Sequence, residues 1–159
     1  MNVSESEKAR DAAYRFLSYR SRSTVEVERK LREKGFDEAI VRKTIERLRE
    51  LNFLDDESFA RSLARDLARV KGYGKNQVEK RLKSKGIEGD ILVDTIETVF
   101  SEIDELEAAT GLAIKKAKGP LDSLKDKARM GRYLYGRGYS WEIIKEVLKG
   151  FDDRERNQE

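Results

Sequence analysis

The chain of 159 residues contains no cysteine, no histidine and only one proline. Without these side chains it cannot form disulfide bonds, thiolate metal sites, cysteine nucleophiles or histidine-based catalytic triads. No apolar run approaches the roughly 18 residues of a membrane-spanning helix. The first residues also lack the apolar stretch of a secretory signal. We therefore expect a cytoplasmic protein with no membrane segment and no cofactor or metal site.

Charged residues make up 41% of the chain and hydrophobic residues 38%. The 34 basic and 31 acidic residues nearly balance, unlike the composition of a disordered chain with charge of one sign. Because the apolar residues also recur at helical spacing, we interpret the chain as folded and helical.

Three similar segments, residues 30–36, 81–87 and 133–139, organise the sequence. Each places a glycine between a cation and a large apolar residue. The glycines, Gly35, Gly86 and Gly138, are 51 and then 52 residues apart. A cation followed by glycine is typical of the end of a helix, where glycine adopts the left-handed conformation. Apolar positions on both sides recur with the same period, which indicates an internal repeat.

The repeat predicts an all-α protein of three tandem three-helix repeats in an elongated, curved array. The predicted segments are a frayed N-terminus (1–9), the three repeats (10–53, 54–101 and 102–151) and a polar, disordered tail (152–159). Each unit is expected to be too small to bury its own core well, so that stacking of neighbouring units completes it.

Individual helix starts and buried positions are also predicted. Ser23 precedes Glu26 by three residues, which is the spacing of a capping box. Asp37 and Asp90 are predicted N-caps of the third helix in the first and second units. Val70 is predicted to lie on the buried face of the first helix of the second unit.

Charge is segregated along the chain. Residues 61–85 carry a net charge of +7, residues 86–114 a net charge of −8, and residues 115–137 a net charge of +6. These blocks are either solvated faces of amphipathic helices or surface patches that attract a charged partner. The acidic block argues against DNA as the sole partner.

Residues 71–75 form a glycine-rich segment that lacks the spacing and the preceding strand of a phosphate-binding Walker loop. We interpret it as a turn between helices, with partner contact by Tyr73 as the alternative. Asp55 and Asp56 resemble paired catalytic carboxylates but are better explained as helix-capping residues.

Four aromatic residues of the third unit, Tyr133, Tyr135, Tyr139 and Trp141, are interpreted as core and capping contacts, with exposure of one for binding as the alternative. No nucleophile and base are spaced in a recognised way. The sequence therefore predicts a binding protein rather than an enzyme.

Several short motifs, taken in order, resemble the RecX family of regulatory proteins. They are Leu54-Asp55-Asp56 with Phe59-Ala60, Gly72-x-Gly74, residues 82–87, Arg137-Gly138-Tyr139-Ser140, and the earlier residues 20–23 and 31–36. The resemblance covers about residues 10–150. It implies tandem helical repeats that bind the RecA recombinase filament and inhibit its ATPase and strand exchange, restraining recombinational DNA repair and the SOS response.

The resemblance supplies no compact set of binding residues, so the expected contacts follow the charge blocks. The predicted basic patch is Arg61, Arg65, Arg69, Lys71, Tyr73, Lys75, Lys80, Arg81 and Lys83. The predicted acidic patch is Glu97, Glu102, Asp104, Glu105 and Glu107. The predicted third-repeat set is Lys125, Lys127, Arg129, Arg132 and Arg137. We expect a monomer that binds RecA, with single-stranded DNA as a further partner. The alternatives are a sequence-independent single-stranded DNA-binding protein that competes with RecA, and a helical adaptor for another protein.

Overall fold

A computed structural model describes residues 3–158, in which there are nine α-helices and no β-strand. The helices are α1 (Glu5–Tyr19), α2 (Thr24–Glu33), α3 (Glu38–Glu50), α4 (Asp56–Arg65), α5 (Lys75–Ser84), α6 (Gly89–Ser101), α7 (Glu105–Lys116), α8 (Leu124–Gly136) and α9 (Trp141–Arg156). The predicted all-α architecture of three three-helix units is confirmed. None of the helices in this part of the chain has the length and apolar character needed to cross a membrane.

Each unit buries its own core. The extensive helix packing lies within units, with α1 on α3, α4 on α6 and α7 on α9. Each middle helix places a fully buried leucine in its unit, and these are Leu31, Leu82 and Leu134. The expectation that a unit is too small to bury its core well is therefore wrong. In the first unit, Ala9 and Ala13 are fully buried on α1, and such small side chains let helices approach closely.

The three glycines end the middle helices as predicted. Gly35, Gly86 and Gly138 have φ angles of +90°, +80° and +98°, in the left-handed region. In each cap the N–H of the residue after the glycine donates to the carbonyl of the buried leucine, at 3.1 to 3.3 Å. The same backbone geometry therefore recurs in all three units.

Two local predictions are wrong. Val70 is 77% exposed, because α4 continues into a π-helical segment, Asp66–Val70. The Lys71 N–H donates to the Asp66 carbonyl at 3.1 Å, and this wider turn rotates the side chains away from their α-helical positions. Asp90 does not cap α6, since Glu88 occupies the N-cap position and Asp90 lies in the first turn.

The helices extend further toward both termini than expected. Ser4 caps α1 through a capping box with Glu7, so residues 5–9 are helical rather than frayed. Helix α9 continues to Arg156, and a 2.7 Å ion pair joins its Asp152 to Lys127 of α8. The expected disordered tail is therefore helical through residue 156. The predicted ends at residues 1, 2 and 159 lie outside the described part of the chain.

Candidate partner-binding surfaces

The middle helices of the three units meet end to end. At the first junction the C-terminal end of α5 faces the N-terminal end of α2. The Ser23 hydroxyl donates to the Lys85 carbonyl at 2.6 Å, and Lys85 Nζ lies 3.2 Å from Glu26 Oε1. The negative end of one helix dipole thus faces the positive end of the next, which is the favourable orientation.

Glu26 holds this first junction together electrostatically. Its side chain is only 9% exposed. Burial opposes ionisation, but hydrogen bonds from Arg20, the Ser23 N–H and Lys85 outweigh it and lower the pKa of Glu26 to about 2. The sequence identified the capping box of Ser23 and Glu26, which is confirmed, but not the contact with Lys85.

The second junction repeats the first with different side chains. The Gly74 N–H donates to the Arg137 carbonyl at 2.8 Å, and the Asn76 N–H donates to the Gly138 carbonyl at 3.1 Å. Here the C-terminal end of α8 faces the N-terminal end of α5. The glycine-rich segment 71–75 is therefore a turn between helices that also contacts the third unit.

Arg137 and Tyr73, both predicted to bind a partner, contact each other at this junction. The Arg137 guanidinium lies 4.3 Å from the centre of the Tyr73 ring and also donates to the Lys71 carbonyl. Arg81 flanks the same ring at 5.2 Å. The Tyr139 hydroxyl donates to the Gly72 carbonyl at 2.9 Å. Burial, with the nearby charge of Glu105, raises the pKa of Tyr139 to about 12.

The predicted basic and acidic patches contact each other between the α4–α5 region and the residues around the start of α7. Arg65 and Arg69 of the α4 region lie 3.5 and 3.0 Å from the carboxylate of Glu102. Lys75 lies 3.7 Å from Glu105. These five predicted binding residues therefore form ion pairs with one another.

The other members of the basic patch lie on exposed positions of the second unit. Lys71 and Lys80 are exposed, and Lys83 lies 3.0 Å from Glu79 on the same helix. Arg61 lines a shallow depression together with Asp94. Exposed ion pairs within one helix contribute little to stability, so Lys83 can exchange its partner at low cost.

Among the other acidic residues, Glu97 is exposed on α6. Asp104 caps α7, where its carboxylate accepts from the Glu107 N–H at 3.0 Å. Glu107 lies in the first turn of that helix, where a negative charge favours the helix dipole. Asp104 thus has a structural role, whereas Glu97 is available for contact.

The third-repeat set separates into an exposed face and two residues with structural contacts. Lys125, Arg129 and Arg132 are exposed on α8 and, at spacings of four and three residues, share one side of the helix. We call these three residues the α8 basic face. Lys127 instead pairs with Asp152, and Arg137 belongs to the second junction.

A basic depression missed in the sequence lies beside the α8 basic face. It has a volume of about 720 Å³, and Lys115, Lys116, Lys118 and Arg129 line it. Lys116 also lies 5.1 Å from the centre of the Tyr133 ring. All four residues belong to the +6 block of the sequence, but only the fold brings Lys115 and Lys116 at the end of α7, and Lys118 in the following loop, next to Arg129 of α8.

Two exposed aromatic rings of the third unit stack on each other. The rings of Tyr135 and Trp141 are 5.1 Å apart with an interplanar angle of 19°. The residues are 55% and 51% exposed. Tyr139, in contrast, is 1% exposed. The interpretation of the aromatic set as core and capping contacts is therefore wrong for Tyr135 and Trp141.

The two adjacent aspartates are structural. Asp55 caps α4 by accepting from the Ser58 N–H at 3.1 Å, and Asp56 accepts from the Thr24 N–H at 2.8 Å across the first junction. Within residues 3–158 there is no group of three or more acidic side chains placed to hold a metal ion. The sequence-based interpretation of Asp55 as an N-cap is confirmed.

These features define an all-helical repeat protein whose exposed charges are distributed over three units in a row. Models of the first, second and third three-helix domains of RecX match residues 9–48, 55–94 and 102–148. Because these matches span most of the sequence, the chain belongs to the RecX family.

Similar proteins agree with this assignment. Regulatory protein RecX of Chlorobaculum tepidum is 35% identical over 150 residues, covering 94% of this chain and 91% of that protein. Regulatory protein RecX of Prosthecochloris aestuarii is 33% identical, covering 93% and 96%. The crystal structure of RecX from Lactobacillus salivarius matches with a TM-score of 0.79 and 27% identity, covering 92% of this chain and 96% of that one.

Proposed function

We propose that this protein binds the RecA recombinase filament and inhibits its ATPase and strand exchange, thereby restraining recombinational DNA repair and the SOS response. It acts by binding and catalyses no reaction. The observation that carries the proposal is membership of the RecX family across all three units, with relatives named as regulatory proteins.

The arrangement of the units supports binding to a polymer. Each unit has its own core, and the described residues form no hydrogen bond or ion pair between the first and third units. Three surfaces are thus displayed in succession along one chain. Such surfaces can contact successive subunits of a filament, and linked weak contacts raise the overall affinity.

The charges favour the third unit as the main electrostatic contact. Arg65 and Arg69 are engaged by Glu102. Within residues 3–158, the α8 basic face and the lysines of the adjoining depression form no ion pair, and Asp126 is the acidic residue that lines the depression. This surface suits acidic residues of the filament or the DNA strand inside it.

A second function, sequence-independent binding of single-stranded DNA in competition with RecA, is favoured by one observation. The exposed Tyr135–Trp141 stack lies one helical turn beyond Arg132 of the α8 basic face. Bases stack on exposed aromatic rings while neighbouring cations contact the phosphates, and such binding weakens steeply with salt.

The two functions are distinguished by measuring inhibition of the RecA ATPase beside direct affinity for single-stranded DNA, at several salt concentrations. For filament binding we expect inhibition with fewer protein molecules than RecA protomers, and inhibition that persists at salt concentrations where DNA binding is lost. Inhibition that follows DNA affinity at every salt concentration supports competition instead. No inhibition below one protein per RecA protomer rejects the filament proposal.

Charge reversal identifies the surface. Replacing Lys125, Arg129 and Arg132 by glutamate is expected to weaken inhibition strongly. The matched control reverses three exposed basic residues of α3, which are Arg42, Lys43 and Arg49. Equal loss in both triple variants indicates a response to net charge alone and contradicts a specific α8 contact.

A further inference from the structure

The three glycine caps have the same backbone geometry but different surroundings. At Gly86 an added Cβ would overlap the side chain of Val25, and at Gly138 it would overlap Gln77. At Gly35 the same atom would meet nothing within 4 Å. The caps at Gly86 and Gly138 are thus each covered by the N-terminal end of a neighbouring middle helix, whereas the cap at Gly35 is open.

The covered caps show which chemistry fits the open one. In both, carbonyls at the helix end accept hydrogen bonds from the start of another helix. The donor is the Ser23 hydroxyl at the Gly86 cap, and the donors are the Gly74 and Asn76 N–H groups at the Gly138 cap. In the first junction, the lysine before the glycine also pairs with the acidic third residue of that helix, as Lys85 does with Glu26. Lys34 stands in the same position before Gly35 and is exposed.

Among the three middle helices, the matching end occurs once more, at the start of α8. Ser123 is the N-cap, and its hydroxyl accepts from the Asp126 N–H at 3.1 Å. The order of a serine cap and an acidic third residue is the same as in Ser23 and Glu26. Leu124, the first residue of the helix, is 86% exposed, whereas the corresponding Thr24 is 4% exposed in the first junction.

We propose that the open cap at Lys34 and Gly35 docks the N-terminal end of α8 from a second copy of the chain, so that molecules associate head to tail. The Ser123 hydroxyl then donates to a carbonyl of the cap, Asp126 faces Lys34, and Leu124 is covered. The dipoles of the middle helices continue in one direction from copy to copy.

We expect this contact between copies to be weak and to recur from one copy to the next. The internal junctions are narrow, and their contacts form within one chain, whereas two copies must also overcome the entropy of association. Helix α8 has 13 residues against 10 in α2 and α5, so the neighbouring copy sits about 4.5 Å further out at 1.5 Å per residue. Because the two surfaces differ, the association is heterologous and extends in rows. The proposal is independent of the RecA function.

Disulfide trapping tests this contact, since the natural chain has no cysteine. One preparation carries Leu124→Cys and the other Lys34→Cys, and the two are mixed under mild oxidation. We expect the mixed disulfide to form severalfold more than in a control that replaces Lys34→Cys by Lys43→Cys, at an exposed lysine of α3.

A charge variant tests the specificity of the trapped product. With a partner chain that carries Glu33→Cys, at an exposed residue beside Lys34, and therefore keeps Lys34, adding Asp126→Lys to the Leu124→Cys chain is expected to lower the mixed disulfide, while the product with Lys43→Cys is unchanged. A yield with Lys34→Cys no greater than with Lys43→Cys overturns the proposal. Equal loss with both partners also overturns it, because the effect is then one of thiol reactivity.

Discussion

The Arg137 guanidinium lies 4.3 Å from the centre of the Tyr73 ring, and the two residues belong to different units. Arg137 also donates to the Lys71 carbonyl. A residue expected on a partner surface therefore joins the second and third units. Substitution of Arg137 therefore tests how much this contact stabilises the junction between the second and third units.

We predict that Arg137→Ala loosens the second junction without unfolding the units. The change removes a cation–π contact and a hydrogen bond from a charged donor, together worth about 2–3 kcal/mol. Hydrogen exchange at the Gly74 and Asn76 amides, which bond across the junction, is expected to accelerate. Arg132→Ala, on the exposed side of the same helix, is the control. Unchanged exchange at both amides contradicts the role assigned to Arg137.

Glycine-to-alanine substitutions in equivalent caps are predicted to differ in their effect on the free energy of unfolding. At Gly35 the cost is conformational only, about 1–2 kcal/mol for a left-handed alanine. At Gly86 the overlap with Val25 adds a packing cost of about 1–3 kcal/mol. Urea denaturation of Gly35→Ala and Gly86→Ala measures the difference, and equal destabilisation of the two variants would show that the first junction does not constrain Gly86.

Acid is predicted to weaken the first junction through Glu26. The pKa of Glu26 is about 2 in the folded protein, against an ordinary 4.5. A lowered pKa stabilises the fold above pH 4.5, and this contribution is lost as the pH falls from about 4.5 to about 2. Glu26→Gln is expected to be less stable than the natural chain at pH 7, with a gap that narrows over this acidic range. Urea denaturation at successive pH values measures the gap, with Glu97→Gln as the control. A gap independent of pH contradicts the assignment.

Glu102→Gln is predicted to strengthen binding to single-stranded DNA if Arg65 and Arg69 belong to the contact surface. The change releases both arginines, which now lie 3.5 and 3.0 Å from the carboxylate, and it alters stability by less than about 1 kcal/mol because these pairs are exposed. Glu97→Gln, at an exposed position on α6, removes the same charge without releasing an arginine.

The measurement is the affinity for a single-stranded oligonucleotide at several salt concentrations. If the affinity of Glu102→Gln for the oligonucleotide depends more steeply on salt than that of Glu97→Gln, the two arginines contact the DNA strand. Identical curves for the two variants remove Arg65 and Arg69 from the binding surface and leave the α8 basic face as the main candidate.

Local features of the fold were predictable from particular residues. Ser23 with Glu26, Asp37 and the three glycines act within one helical turn, and hydrogen bonds over such short separations depend on the local sequence. Val70 and Asp90 were mispredicted because a π-helical turn and a left-handed Gly89 change the local geometry. Neither the π-helical turn nor the left-handed glycine produces a pattern of apolar residues at helical spacing from which it could be predicted.

By itself, the sequence determined the number of units, their helical class and the ends of the middle helices, because apolar spacing and capping act locally and recur with one period. Only the tertiary structure decided which charges are neutralised. Arg69 and Glu102 are 33 residues apart along the chain but 3.0 Å apart in space, and Lys85 contacts Glu26 over a separation of 59 residues. Such pairs depend on how separate helices pack. The net charge of a sequence segment therefore assigns to separate basic and acidic blocks residues that form ion pairs with one another in the folded protein.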